Sequence, residues 1–166
     1  MRLTLQTAAA PPPGAVAPAT RPAVSRRVLL AEDNAGNQLV LTRMLEVLGC
    51  QVEVAESGLQ ALDKATHGSF DVVFMDMHMP EMDGLEATRR LCAALPRDRR
   101  PWIVGLTASS GDDQRQACLA AGMDDFVTKQ VDLRTLQEAM ARARPPRTGS
   151  GSLDVQPAGA GAAPSP

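Results

Sequence analysis

Apolar residues in this chain fall into short blocks separated by polar, turn-forming segments. Val72-Val73-Phe74-Met75 is the clearest block, entered from Asp71 and left through Asp76 and the turn-rich Met79-Pro80-Glu81-Met82-Asp83-Gly84. A run of this length, β-branched and aromatic and bounded by turn formers, predicts a strand buried on both faces. Arg27–Ala31, Gln51–Ala55, Trp102–Leu106 and Asp124–Thr128 repeat the signal. Between them, apolar residues recur at helical spacing: Leu41, Met44, Leu45 and Leu48; Leu59, Leu62 and Ala65; Leu85, Leu91 and Leu95; and Leu133, Leu136 and Met140. A weaker, Ala-rich helix is predicted over 112–121. Ser57 suits a helix N-cap, while Gly49 and Pro96 suit helix stops.

Strands alternating with helices predict an α/β fold, a doubly wound five-stranded parallel sheet with helices on both faces. In such sheets, sites form at the carboxyl ends of the strands. Those ends hold Glu32-Asp33, Ala55-Glu56, Asp76, Thr107 and Thr128-Lys129. Asp76, at the end of the most apolar strand, is the residue most marked for chemistry.

Composition narrows the function. With three Phe, one Trp and no Tyr, the core must be aliphatic and rich in Met. The formal charge is −2; setting aside Arg2, Arg21, Arg147 and Asp154 in the two ends leaves residues 26–144 at −4. That balance gives no electrostatic footprint for nucleic acid. No stretch is long or apolar enough to span a membrane. Residues 1–25 read as a disordered Ala/Pro-rich arm and 145–166 as a disordered Gly/Ala/Pro tail, leaving 26–144 as the folding domain. Without a signal-peptide pattern, a cytoplasmic protein is expected. Cys50, Cys92 and Cys118 form no paired motif and read as small buried hydrophobes in a reducing compartment. Asp112-Asp113 and Asp124-Asp125 read as solvated faces or caps, and His78 as exposed or contributing its backbone.

Three carboxylates within about 5 Å repel by about 3 kcal/mol per pair at an effective dielectric of 20. Glu32, Asp33 and Asp76 therefore call for a cation beyond Lys129. An all-oxygen set suits Mg²⁺, or Mn²⁺, rather than zinc. A divalent ion and a lysine beside Asp76 would stabilise a phosphoryl group delivered to its carboxylate. The Thr107 hydroxyl is placed to bond a phosphoryl oxygen.

Glu32-Asp33-Asn34, Met75-Asp76-Met77-His78-Met79-Pro80-Glu81-Met82-Asp83-Gly84, Leu106-Thr107-Ala108 and Thr128-Lys129 occur in this order. In order and spacing the set resembles the receiver (phosphoacceptor) domain of two-component response regulators, and Glu32–Gln38 is similar to receivers of hybrid histidine kinases. The resemblance implies a flavodoxin-like strand order 2-1-3-4-5 and a signalling domain rather than an enzyme. A histidine kinase or histidine phosphotransfer protein would be the donor, and Asp76 the acceptor. It further implies Mg²⁺ bound through the carboxylates of Asp33 and Asp76, by Glu32 via a water and by the backbone carbonyl of His78, with Lys129 paired with the phosphoryl group and Thr107 and Phe126 as switch residues. Two positions depart from the family pattern: Gln130 replaces the usual proline after the lysine, and Gly36 stands where bulkier residues are common. A cis Lys129-Gln130 bond would cost about 3 kcal/mol. A trans bond is therefore expected, with the long Lys129 stem still reaching Asp76.

Three other readings remain open. An aspartyl-nucleophile phosphatase or transferase of the haloacid dehalogenase type would carry an Asp at the position of His78, and shows no cap domain here. A flavodoxin-like cofactor binder would need a Gly-rich loop after the first strand. A degenerate receiver would bind partners without phosphorylation.

Overall fold

In the computed structural model, which describes residues 25–144, five strands and five helices alternate along the chain. They are β1 (Arg27–Ala31), α1 (Ala35–Val47), β2 (Gln51–Ala55), α2 (Gly58–His67) and β3 (Val72–Asp76). The second half comprises α3 (Gly84–Ala94), β4 (Trp102–Thr107), α4 (Asp112–Ala121), β5 (Asp125–Thr128) and α5 (Leu133–Arg142). All strands pair in parallel, in the order β2-β1-β3-β4-β5, as expected. The two end segments, 1–25 and 145–166, lie outside the described residues apart from Ser25.

Side-chain alternation along the central strands divides the core in two. Leu29, Ala31, Val73 and Met75 face α2, α3 and α4, meeting Ala61, Ala65, Ala87, Leu91 and Cys118. Val28, Leu30, Val72 and Phe74 face α1 and α5, meeting Leu41, Leu45, Leu136, Ala139 and Met140. β3 is buried at every position, which explains its unbroken apolar run. Burying each Val, Leu or Phe contributes roughly 2 kcal/mol. The edge strand β2 instead alternates exposed and half-buried positions up to Ala55.

Most helix starts are set by side chains that accept the otherwise orphaned backbone N–H groups. Asn34, Ser57, Asp83 and Asp132 do this for α1, α2, α3 and α5, at 3.1, 3.2, 2.7 and 2.7 Å. α1 begins at Ala35, six residues ahead of its first periodic apolar position at Leu41, because the Asn34 cap acts upstream of the apolar pattern. β5 begins at Asp125 instead of Asp124, whose carboxylate is drawn sideways by Arg100 and the Ile103 amide. At two helix ends the chain turns through the left-handed region, at Gly49 (φ 85°) and Gly122 (φ 103°).

Three expectations need correction. Asp124 is no solvated acid: its side chain is 8% exposed and pairs with the equally buried Arg100 at 3.1 Å. Arg100 also donates to the Gly122 carbonyl at 2.8 Å, tying the segment after α3 to the turn before β5. Of the cysteines, only Cys118 is buried; Cys50 and Cys92 are half-buried. Leu59 and Leu133 keep helical spacing yet lie 52% and 39% exposed, so the apolar faces of α2 and α5 are narrower than the pattern implied.

Candidate functional site

The carboxyl edge of the sheet brings Glu32, Asp33 and Asp76 together, with one carboxylate oxygen of each within 4.8 Å of the others. Glu32 follows β1, Asp76 ends β3, and both are fully buried, whereas Asp33 is exposed. β1 and β3 are adjacent in the sheet, with Ala31 opposite Met75, so the register itself places the carboxylates side by side. Glu56, after the edge strand β2, is outside this cluster.

Lys129 enters from the far side. Its backbone N–H donates to the Thr107 carbonyl at 2.7 Å, so the β4–β5 pairing continues through it. No cis peptide bond occurs among the described residues, so Lys129-Gln130 is trans, as expected. The Lys129 ammonium donates to Asp76 Oδ2 at 2.7 Å and stands 3.3 Å from Glu32 Oε2. Burial is the largest single influence on this lysine and pulls its pKa down. The Asp76 hydrogen bond and the charges of Asp76 and Glu32 outweigh it together, holding the pKa above the ordinary lysine value.

The β3–α3 loop completes the wall. Asp76 Oδ1 accepts from the His78 backbone N–H at 3.0 Å, while the His78 side chain points out to solvent. The Gly84 N–H donates to the Met77 carbonyl at 3.1 Å, closing the loop over Asp76. A Cβ at Gly84 would lie 2.0 Å from the Asp76 carbonyl oxygen, so only glycine allows this approach. Glu81 takes φ 67° in the same loop, a left-handed conformation uncommon for a glutamate.

Thr107 ends β4, fully buried, and its hydroxyl donates to the Ser109 carbonyl at 2.6 Å. Phe126, opposite Gly105 in the β4–β5 register, is half-buried on the α2–α3–α4 side. The Arg115 guanidinium of α4 lies 5.7 Å from its ring centroid, within cation–π range.

The donor set can be tested for a cation on its own chemistry. Glu32 Oε1 accepts from the Asn34 N–H and the Asn37 side-chain amide, each at 3.2 Å. Glu32 Oε2 is buried without a hydrogen-bond partner; Lys129 is close enough for charge attraction but donates to Asp76 instead. A buried, orphaned carboxylate oxygen beside two other carboxylates suits a hard divalent cation, and the oxygen-only set suits Mg²⁺. The amides of Asn37 and Gln38 around Glu32 were not anticipated as functional. Both lie in the Glu32–Gln38 stretch that carries the resemblance to hybrid-kinase receivers, and they follow the acidic pair at the start of a helix, close enough to fold back over the strand end.

Comparison with known proteins decides the family. Residues 28–141 match the response regulator receiver domain. The chain belongs to the response regulator receiver family. It is 40% identical over 158 residues to part of the virulence sensor protein BvgS of Bordetella bronchiseptica. The alignment covers 88% of this chain but only 13% of that sensor's length. Among solved structures it resembles the receiver domain of the sensor histidine kinase PA1611 of Pseudomonas aeruginosa PAO1, which holds a magnesium ion in its active-site cleft. That likeness has 37% identity and a TM-score of 0.66, covering 72% of this chain and 97% of that one. It also resembles the receiver of the Saccharomyces cerevisiae response regulator Ssk1, crystallised with the histidine phosphotransfer protein Ypd1. There the identity is 27% and the TM-score 0.64, over 70% of this chain and 87% of the other. The expected receiver fold is therefore confirmed, and the chain is a receiver domain of phosphorelay signalling. Membership sets aside the phosphatase and flavodoxin-like alternatives. Among the described residues, no helix is long and apolar enough to cross a membrane.

Proposed function

We propose that residues 26–144 form the working unit and that Asp76 accepts a phosphoryl group from a phosphohistidine donor, with Mg²⁺ held by Asp33, Asp76, Glu32 and the His78 carbonyl. The observation that carries this reading is the buried Asp76 carboxylate, held between Lys129 at 2.7 Å and the His78 amide at 3.0 Å beside two further acids. The bound ion would neutralise charge on the carboxylates and on the incoming phosphoryl oxygens.

In the transfer, an Asp76 carboxylate oxygen forms a bond to phosphorus as the N–P bond of the donor breaks. The donor imidazole leaves with the electron pair. A carboxylate nucleophile has no proton to give up, so the step needs no general base. Lys129 shifts its ammonium toward the added phosphoryl charge, and the backbone around His78 holds the acceptor in place. Thr107 would give up its bond to Ser109 and donate to a phosphoryl oxygen instead. That exchange loosens the β4–α4 loop, and Phe126 and Arg115 follow at the neighbouring β5–α4 surface. A partner reads that surface, so the domain works as a switch, its chemistry confined to its own phosphorylation and dephosphorylation. A cytoplasmic setting belongs to the same proposal, supported by three free cysteines.

The test is transfer from a phosphorylated histidine phosphotransfer protein in the presence of Mg²⁺. Label should pass to this chain and stop when Mg²⁺ is chelated. A chain that binds the donor but takes no label would instead be an interaction module that works without phosphorylation.

A further inference from the structure

Three sulfur atoms gather against β4, on the side of the sheet covered by α2, α3 and α4. The Cys118 thiol of α4 donates to Met77 Sδ at 3.4 Å. A Cβ at Gly105 would lie 2.7 Å from Met123 Sδ and 3.0 Å from Cys118 Sγ, so these two sulfurs fill the space the glycine leaves. All three sulfur residues are at most 5% exposed. Glycine inside a strand weakens it and often marks a site of close approach. Burial pushes the Cys118 thiol up, so the free protein keeps the proton that Met77 accepts. The Cys92 sulfur is engaged differently, by the Arg100 guanidinium at 2.9 Å.

We propose that Cys118, Met77 and Met123 form a binding site for a soft monovalent metal ion, Cu(I), distinct from the carboxylate cluster. Thiolate and thioether donors select Cu(I). Zinc draws on thiolate, imidazole and carboxylate ligands, and this set offers it only one. Charge points the same way. As the bond from Cys118 Sγ to copper forms, the thiol proton passes to solvent, and thiolate and Cu(I) together are neutral. A divalent ion on the same donors would leave a net positive charge in an apolar core, which is costly. Entry runs through α4. Among the described residues it is the one helix without a side-chain cap at its start, and only Cys118 and Ala121 of its ten residues are buried. Elements with few buried apolar residues open at low cost. Met77 directly follows Asp76, so the bound ion ties α4 to the β3–α3 loop.

The experiment titrates the reduced full chain with Cu(I) under anaerobic conditions, against a chromogenic Cu(I) chelator, and reads the coordination shell by X-ray absorption. The parent should hold one Cu(I) in a shell of three sulfurs. Met77→Leu conserves volume and keeps the core filled. It should hold the ion about tenfold more weakly, in a shell of two sulfurs. Cys118→Ala should lose the ion, and Cys92→Ser should bind it as the parent does. A parent that yields all its Cu(I) to the chelator overturns the site. So does a Met77→Leu protein with the parent's affinity and shell, or loss of the ion in Cys92→Ser. Either would place copper adventitiously on another cysteine and leave the three sulfurs as core packing.

Discussion

The Lys129 ammonium donates to Asp76 Oδ2 at 2.7 Å across 53 residues of sequence, and it does so from a trans peptide bond to Gln130. Parallel pairing carries this relationship: Lys129 continues β5, whose neighbour β4 lies beside β3. The lysine's four-carbon stem spans what remains.

Lys129→Met removes the cation nearest two fully buried carboxylates, Glu32 and Asp76. Breaking one side of a buried pair typically costs about 3–5 kcal/mol; the lower end is expected here because Lys129 is 26% exposed. Chemical denaturation in a metal-free buffer should show this loss. Added Mg²⁺ should stabilise the variant more than the parent, since it supplies the missing positive charge. Equal stabilisation of both proteins would separate the lysine from the cation site.

Gly84→Ala should destabilise the fold by about 2 kcal/mol or more, because the new Cβ meets the Asp76 carbonyl oxygen at 2.0 Å. The obstacle is backbone, so no rotamer relieves it. The same shift should slow phosphoryl acceptance. A Gly84→Ala protein with the parent's melting temperature and rate would contradict this loop geometry.

The Arg100–Asp124 pair was not legible in the sequence, and the reason is local. Arg97-Asp98-Arg99-Arg100 carries no apolar residue to mark a buried position, and Asp124-Asp125 reads as a solvated face or cap. Nothing in either stretch marks the one arginine and the one aspartate that become buried partners. Arg100→Leu should cost about 3 kcal/mol by stranding Asp124. The double variant Arg100→Leu/Asp124→Leu should recover part of that loss. Additive losses in denaturation curves would show that the pair is not coupled.

The site itself was far more legible. Glu32, Asp33, Asp76 and Lys129 sit at three strand ends that could be read from apolar runs alone, and the parallel topology leaves them few places to go. Strand positions shifted by about one residue, as at Asp76, which closes β3, and Asp124, which precedes β5. Side-chain direction was not legible. The Thr107 hydroxyl turns to Ser109, and the amides of Asn37 and Gln38 turn back to Glu32. Hydrophobic periodicity carries no information about such short polar bonds.

Asp132 caps α5, accepting from both the N–H and the hydroxyl of Thr135. The Thr135 side-chain bond, followed by its backbone bond, holds the Asp132 carboxyl below its ordinary value of 3.8. A depressed carboxyl stabilises the fold above its unfolded pKa and loses that contribution as pH falls through the folded value. Asp132→Ala should therefore lower the melting temperature at neutral pH and have little effect well below pH 3.8. A loss of the same size at both pH values would show that the cap acts through packing instead of charge.

The account turns on Asp76 as the acceptor, and intact mass after incubation with acetyl phosphate and Mg²⁺ tests it most directly. Asn at this position keeps an oxygen for the His78 amide and leaves Lys129 beside Glu32, so Asp76→Asn should remain folded. The parent should gain the mass of one phosphoryl group, and Asp76→Asn should gain none. A parent that gains nothing, or an Asp76→Asn protein phosphorylated at the parent's rate, would contradict it.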